Sequence, residues 1–213
     1  MHAKPLFTAA LAACALAAVP LTAQPQGAPG TRDASAVAAG SYATDPSHTL
    51  VQWSVSHFGF NPYWGSFGDV EGTLEIDPAN IEAAKLDVRI PIGSVAVVSE
   101  GLRDHLLRDG KDGGEPDFFG STPGNAHFVS NAVRRTGPNS ATIHGTLTML
   151  GQSAPVAIAA DFTGAGANPM NEAQTIGFTG RARIKRSDFG VNYALPAISD
   201  EVDLMITAAF ERQ

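Results

Sequence analysis

Five of the six histidines are the side chains in this sequence best able to carry chemistry near neutral pH, because an imidazole can bind a metal ion or transfer a proton. They are His48, His57, His105, His127 and His144. They are scattered along the chain, with no His-Glu-x-x-His motif and no paired metal-ligand spacing. A metal or redox site would therefore require histidines from separate elements to meet in the folded chain.

Motifs for nucleophilic or phosphate chemistry are missing from the sequence as well. Ser153 follows Gly151, but Pro155 stands where a Gly-x-Ser-x-Gly elbow needs its second glycine. No glycine-rich loop opens a helix to cradle a phosphate. We therefore predict no catalytic residue, no metal ligand and no required cofactor.

Four polar side chains could instead recognise the head group of a ligand. Arg103, Asp104 and His105 fall in a predicted helix, and His57 ends the first predicted strand on its apolar face. Arginine supplies a fixed positive charge suited to a polar or phosphorylated group. The alternatives are an ion pair between Arg103 and Asp104 that holds the helix to the barrel, and a hydrogen-bonded core role for His57.

Four phenylalanines flank these polar residues and are predicted to lie at the rim of a binding site. They could contact an apolar tail, or they could pack beneath the neighbouring loop. They are Phe58, Phe60, Phe118 and Phe119.

An alternation of apolar and polar residues shows which elements must position these side chains. Val51, Trp53, Val55 and His57 share one side of a strand, because successive residues of a strand point to opposite faces. Eight segments repeat this pattern, which predicts an all-β domain with an eight-stranded antiparallel barrel. The predicted strands are 48–57, 66–76, 83–97, 126–135, 140–149, 154–163, 174–186 and 200–212.

One stretch is predicted to be helical. Residues 100–109 carry leucines spaced for a single apolar stripe, after a potential Ser99 cap and before Gly110. We expect this short helix to lie across the mouth of the barrel.

The inward residues of the strands would line a pore if the barrel is hollow. Eight-stranded barrels enclose either packed side chains or one slender ligand, so a solid core is the alternative. The lining candidates are Val51, Trp53, Val55, Phe67, Leu74, Val88, Ile90, Phe128, Ile143, Leu147, Ile158, Phe162, Phe178 and Leu204.

The N-terminal residues have the character of a secretory signal. Residues 1–23 combine Lys4 with an apolar, alanine-rich run that ends in small residues, which predicts cleavage near Ala23 and export. The alternative is a lipobox around Cys14, which would leave that cysteine as a lipidated N-terminus. Residues 24–40 are predicted to be a flexible linker, and residues 41–213 a single domain without disulfides.

The charge distribution argues against nucleic acid as a partner. The formal net charge is −7, and the chain has no stripe of lysine and arginine. The pairs Arg134-Arg135 and Arg181-Ala182-Arg183 are interpreted as outward-facing surface residues.

Four blocks of sequence, in order, resemble the YceI family of secreted lipid-binding proteins. The blocks are 45–67, which contains Asp45-Pro46-Ser47-His48-Thr49; 102–119, which contains Leu102-Arg103-Asp104-His105-Leu106; His144-Gly145-Thr146-Leu147-Thr148-Met149-Leu150-Gly151; and Lys185-Arg186-Ser187-Asp188-Phe189-Gly190 with Ile198-Ser199-Asp200-Glu201-Val202. The resemblance covers nearly all of residues 41–213. One departure is a longer link, residues 109–116, between the helix and the Phe-Phe segment.

The resemblance implies a lipocalin-like barrel in the bacterial periplasm that binds a polyisoprenoid or similar long-chain amphiphile, often as a dimer. We therefore expect a noncatalytic protein that holds a polyisoprenoid, an isoprenoid quinone or a fatty chain for transport, storage or stress-related roles. A transient membrane or membrane-redox partner is compatible with this expectation. The alternative from another class is a periplasmic metal or redox enzyme that uses histidines converging at the barrel mouth.

Overall fold

A computed structural model describes residues 27–213, which form ten strands and one short α-helix. Short 3-10 turns interrupt the connections. The strands are β1 Gly40–Thr44, β2 Leu50–His57, β3 Asn61–Phe67, β4 Glu71–Ile76, β5 Lys85–Pro91, β6 Asn125–Gly137, β7 Ser140–Met149, β8 Gln152–Ala167, β9 Gln174–Lys185 and β10 Glu201–Arg212; the helix is α1, Glu100–Leu106.

The strands close into an eight-stranded antiparallel barrel, as the sequence predicted. The ring runs β1-β4-β5-β6-β7-β8-β9-β10 and closes because β10 also pairs with β1. The first half of β10 pairs instead with β2, and β2 pairs with β3. β1 and β2 thus share one position in the ring, while β3 and β4 share the next.

Interruptions in the chain explain where the strand boundaries differ from the predicted ones. The 3-10 turn Pro46–His48, capped by the Asp45 carboxylate, separates β1 from β2, and the short β1 lacks the alternation that would reveal it. The predicted strand 66–76 contains the break between β3 and β4. The predicted strand 83–97 ends at Pro91, where the 3-10 turn Ile92–Ser94 begins.

The helix matches its prediction at the start and is shorter at the end. The Ser99 hydroxyl accepts from the Leu102 backbone N–H at 3.2 Å, which is the expected cap. The helix stops at Leu106, three residues before the predicted end.

The predicted linker over residues 24–40 differs from the structure in its described part. Thr31 pairs with Ala165 of β8, Val37 is buried in the core, and Gly40 already belongs to β1. Tyr42 donates its hydroxyl hydrogen to the Ala38 carbonyl at 2.7 Å. This segment packs on the barrel because it brings one apolar side chain to the edge of the core. The predicted signal 1–23 and Cys14 lie outside the described residues.

The barrel has two different ends, since an antiparallel meander places alternate connections at alternate ends. The helix end carries the connections 58–60, 92–124, 150–151 and 186–200. The far end carries the connections 77–84, 138–139 and 168–173, together with the N-terminal segment 27–39.

The helix end is filled with side chains. Trp53, Val95, Leu106 and Val202 form a buried cluster, against which residues of α1 and of the 118–119 segment pack. A Cβ at Gly65 would lie 2.2 Å from the Trp53 ring, so the strand must carry glycine there for the indole to fit. The connection 92–124 therefore folds inward and plugs this end.

Arg186 holds the other long connection of the helix end in place. The side chain is buried, and its guanidinium donates to the carbonyls of Val191, Tyr193, Ile198 and Ser199 at 2.9–3.0 Å. Burial lowers the pKa of this guanidinium. The side chain thus satisfies four backbone acceptors that strand pairing leaves free.

Candidate ligand cavity inside the barrel

An apolar cavity of about 270 Å³ lies within the barrel. It runs along the inner faces of the strands and is walled almost wholly by aliphatic and aromatic side chains. An apolar cavity of about 150 Å³ is enough to hold benzene, and ligand pockets begin at about 300 Å³. The cavity is therefore sized for a slender apolar molecule.

The structure places twelve of the fourteen predicted lining residues at this cavity. Trp53 and Val55 are the exceptions, since both pack into the cluster at the helix end. The twelve are Val51, Phe67, Leu74, Val88, Ile90, Phe128, Ile143, Leu147, Ile158, Phe162, Phe178 and Leu204.

Incomplete burial of the inner wall distinguishes this barrel from one with a solid core. Val88, Ile143, Ile158 and Leu204 point inward, yet they are only half-buried. Side chains in a filled core would contact one another and lose that exposure. The middle of the barrel thus contains free space, and Gly180 contributes to its lining.

The position of Gly145 shows how tight that wall is. A Cβ added there would come within 2.4 Å of the Phe128 ring and 2.5 Å of the Val129 carbonyl oxygen. Phe128 is one of the buried lining residues. A side chain at Gly145 would therefore push the phenylalanine ring into the cavity.

The cavity reaches the surface region at the far end of the barrel. Its lining there includes Ala34 and Val37 of the N-terminal segment, Ile81 before β5, and Pro138 and Asn139 of the β6–β7 hairpin. No residue of α1 and none of the 118–119 segment lines it, among the residues that the structure describes. The opening of the cavity therefore lies at the far end of the barrel, and not beneath the helix as expected.

The four predicted head-group residues accordingly lie away from the cavity. Arg103 and Asp104 are exposed on α1. No ion pair joins them within residues 27–213, so they do not pin the helix as the alternative interpretation required. His57 packs edge-on against Phe58, with ring centroids 4.5 Å apart, at the β2–β3 turn.

His105 has a positioning role at the helix end. Its Nε2 donates to Asp117 Oδ2 at 2.7 Å, and Arg108 donates to the same oxygen at 3.0 Å. The hydrogen bond from His105, followed by that from Arg108, holds the pKa of Asp117 below its ordinary value. The imidazole also packs edge-on against Phe118 and Tyr193. These contacts tie α1 to the 117–119 segment.

The predicted rim residues are divided between surface and core. Phe58 is 55% exposed and Phe60 87% exposed at the β2–β3 turn, whereas Phe118 and Phe119 pack against the helix-end cluster. All four belong to connections of the helix end, which is plugged. None of the four lines the cavity, whose opening lies at the other end of the barrel.

Arg135, which was expected on the outer surface, lines the far end of the cavity instead. A β-bulge between Ser130 and Ala132 shifts the alternation of β6, so that Val133 and Arg135 face inward. Arg134 faces outward, as predicted. The alternation of apolar residues before and after residue 131 could have revealed the shift.

The histidines expected to converge in the alternative enzyme have separate partners. His105 binds Asp117, and His127 donates to Asp87 at 2.7 Å. Within residues 27–213, no group of three histidine, cysteine, aspartate or glutamate side chains could hold a metal ion. Within the same range, no helix is long and apolar enough to span a membrane.

The fold and the cavity define a class: a closed antiparallel barrel with an apolar internal cavity and one short helix over the plugged end. The family model of the YceI-like domain matches residues 42–210. A UPF0312 protein of Ectopseudomonas mendocina is 35% identical over 178 residues, which cover 82% of this chain and 89% of the relative. The chain therefore belongs to the YceI-like domain family.

Solved structures agree with this assignment. The Campylobacter jejuni YCEI protein superposes with a TM-score of 0.60 and 28% identity, covering 70% of this chain and 84% of that chain. A polyisoprenoid binding domain from Saccharophagus degradans, implicated in plant cell wall breakdown, superposes with a TM-score of 0.56 and 14% identity, covering 81% and 98%. The second likeness shows the fold alone.

Proposed function

We propose that this protein is a noncatalytic binding protein that holds one long-chain amphiphile in the barrel, with its apolar chain inside and its head group at the far end. The observation that carries the proposal is the apolar cavity, plugged at the helix end and reaching the far end. An interior that is apolar along its length and polar at one extremity suits a polyisoprenoid, an isoprenoid quinone or a fatty chain.

The binding energy of such a ligand would come from burial of its chain. Each methylene removed from water contributes about 0.8 kcal/mol, so that ten contribute about 8 kcal/mol before the costs of association. No catalytic group is needed for this function. Shape and apolar lining would suffice, which agrees with the few polar residues at the cavity.

Family membership supports the same conclusion. The Saccharophagus degradans domain with this fold is described as polyisoprenoid binding. The family model spans the strands that build the cavity of this chain.

We further propose that the protein works in the periplasm, after cleavage of residues 1–23, in transport, storage or stress-related roles. The support is the signal-like composition of those residues. Phe58, Phe60 and Trp64 are exposed large apolar side chains on the β2–β3 hairpin, which would suit contact with a second copy or a membrane partner. Cell fractionation with N-terminal sequencing of the mature protein tests the location and distinguishes cleavage near Ala23 from lipidation of Cys14.

A titration with geranylgeraniol tests the binding function. The delipidated protein should take up one molecule, and cholesterol should bind far more weakly because its fused rings are too wide for a slender cavity. Calorimetry or native mass spectrometry gives the stoichiometry. Failure to take up geranylgeraniol, a quinone and a fatty acid alike would contradict the proposed function.

A further inference from the structure

The charges around the cavity are unevenly distributed. Two charged residues, Lys85 and Arg135, contribute to its lining within residues 27–213, and both are positive. Both lie near the far end, where β5 begins and β6 ends.

Lys85 is engaged on the outer face of the barrel. It pairs with Glu75 across the β4–β5 ladder, and its Nζ lies 3.2 Å from Glu75 Oε2. The next residue, Leu86, faces the core, so the side chain of Lys85 points to the opposite side of the sheet. Its charge is thus partnered outside the barrel.

Arg135 is on the inner face and has no such partner. It lies opposite Ala141 on β7, two residues beyond the pair Val133–Ile143, and all four of these residues line the cavity. No ion pair involves Arg135 in the part of the chain that the structure describes. Because the bulge in β6 turns it to the inner face, Arg135 lines the cavity near the far end, where the residue is also exposed to water.

No aspartate or glutamate lines the cavity within residues 27–213, although Glu82 and Glu172 also lie in the far-end connections. Asp33 accepts from the Ser35 backbone N–H, and Asp77 accepts from the Ala79 backbone N–H, each at 2.9 Å. These bonds cap two 3-10 turns, and neither aspartate lines the cavity. A ligand at the opening would therefore meet a cation without a competing carboxylate on the lining.

We propose that Arg135 binds the head group of the ligand, and that the preferred amphiphile carries an anionic head such as a phosphate or a carboxylate. This inference rests on the proposed function, because it names the head-group chemistry of the same site. Arginine is always ionised and presents a planar fork of donors that matches the oxygens of a phosphate or carboxylate. The apolar chain supplies affinity, and Arg135 selects among chains that fit.

The test compares geranylgeranyl monophosphate with geranylgeraniol, two molecules with one chain and different heads. The wild-type protein should bind the phosphate at least about tenfold more tightly at low salt, and the preference should shrink at high salt because the guanidinium is exposed. Arg135→Gln should remove most of the preference, because it should weaken binding of the phosphate far more than binding of the alcohol. Arg135→Lys should retain part of it.

Arg134→Gln is the matched control, since it removes the same charge from the outer face of the same strand. Its preference should equal that of the wild type. An unchanged preference in Arg135→Gln, or an equal loss in Arg134→Gln, would overturn the assignment. If the wild type binds alcohol and phosphate equally, the head-group proposal fails while the proposed function stands; if it binds neither, both fail.

Discussion

Substitution of Val88 by tryptophan would separate a hollow barrel from a filled one. Val88 faces the cavity from β5, opposite Phe128 on β6, and it is only half-buried. An indole at this position would project into the space that a ligand chain needs. The same change at Val129, which is 39% exposed on the outer face of β6, is a matched control.

The expected loss of affinity follows from the chain that the indole displaces. If it excludes about four methylenes, the loss is about 3 kcal/mol at about 0.8 kcal/mol each, which corresponds to roughly a hundredfold increase in Kd. Calorimetric titration of geranylgeraniol into Val88→Trp and Val129→Trp measures this difference. Val129→Trp should bind as the wild type does.

The stability of the Val88→Trp variant provides the second half of the test. Inserting a larger side chain into a packed core costs about 1–3 kcal/mol. In a hollow barrel the indole should leave the free energy of unfolding in urea unchanged or slightly higher. Loss of stability with unchanged ligand binding would refute the reasoning that the interior is open and holds the ligand.

Three further predictions concern the framework around the cavity. Gly145→Val should lower the free energy of unfolding by about 1–3 kcal/mol and weaken ligand binding, because the new side chain displaces Phe128; urea titration and calorimetry measure both effects, and an unaltered Kd would contradict the placement of that ring. Arg186→Met should cost about 3 kcal/mol or more, since one buried and three partly buried carbonyls lose their donor; equal unfolding midpoints for the two proteins would contradict it. The lowered pKa of Asp117 stabilises the fold above the ordinary aspartate range, and this contribution should disappear as pH falls through its folded value, below about pH 4. Urea unfolding between pH 3 and 7 should therefore show that the free energy of unfolding falls less at acid pH in Asp117→Asn than in the wild type. If the two proteins lose the same free energy as the pH falls, the hydrogen bond between Asp117 and His105 does not contribute in this way.

The ring of strands was predictable because each long strand alternates apolar and polar residues. This alternation is visible in the sequence of one strand, whichever strands pair with it. β1 was missed because its five residues contain one core side chain, Tyr42, and its place depends on pairing with β4 and β10. Val37 was missed for a similar reason. A single apolar residue in a polar segment carries no periodicity.

The lining of the cavity was largely predictable, but its opening was not. The alternation in the sequence shows which residues of a strand face the interior, so twelve lining residues could be named. Which end is plugged depends on how the connection 92–124 folds, and the packing of Leu106 and Phe119 against Trp53 is a long-range contact that no local pattern encodes. The inward position of Arg135 depends on one bulge, which reverses the parity of the strand beyond it.

The most direct measurement of the central claim is native mass spectrometry of the full protein purified without detergent from a periplasmic fraction, followed by solvent extraction and identification of any released molecule. We predict one amphiphile per barrel, with an extended apolar chain and an acidic head group. A protein of apo mass that also takes up no prenyl or fatty chain when these are offered would contradict the account.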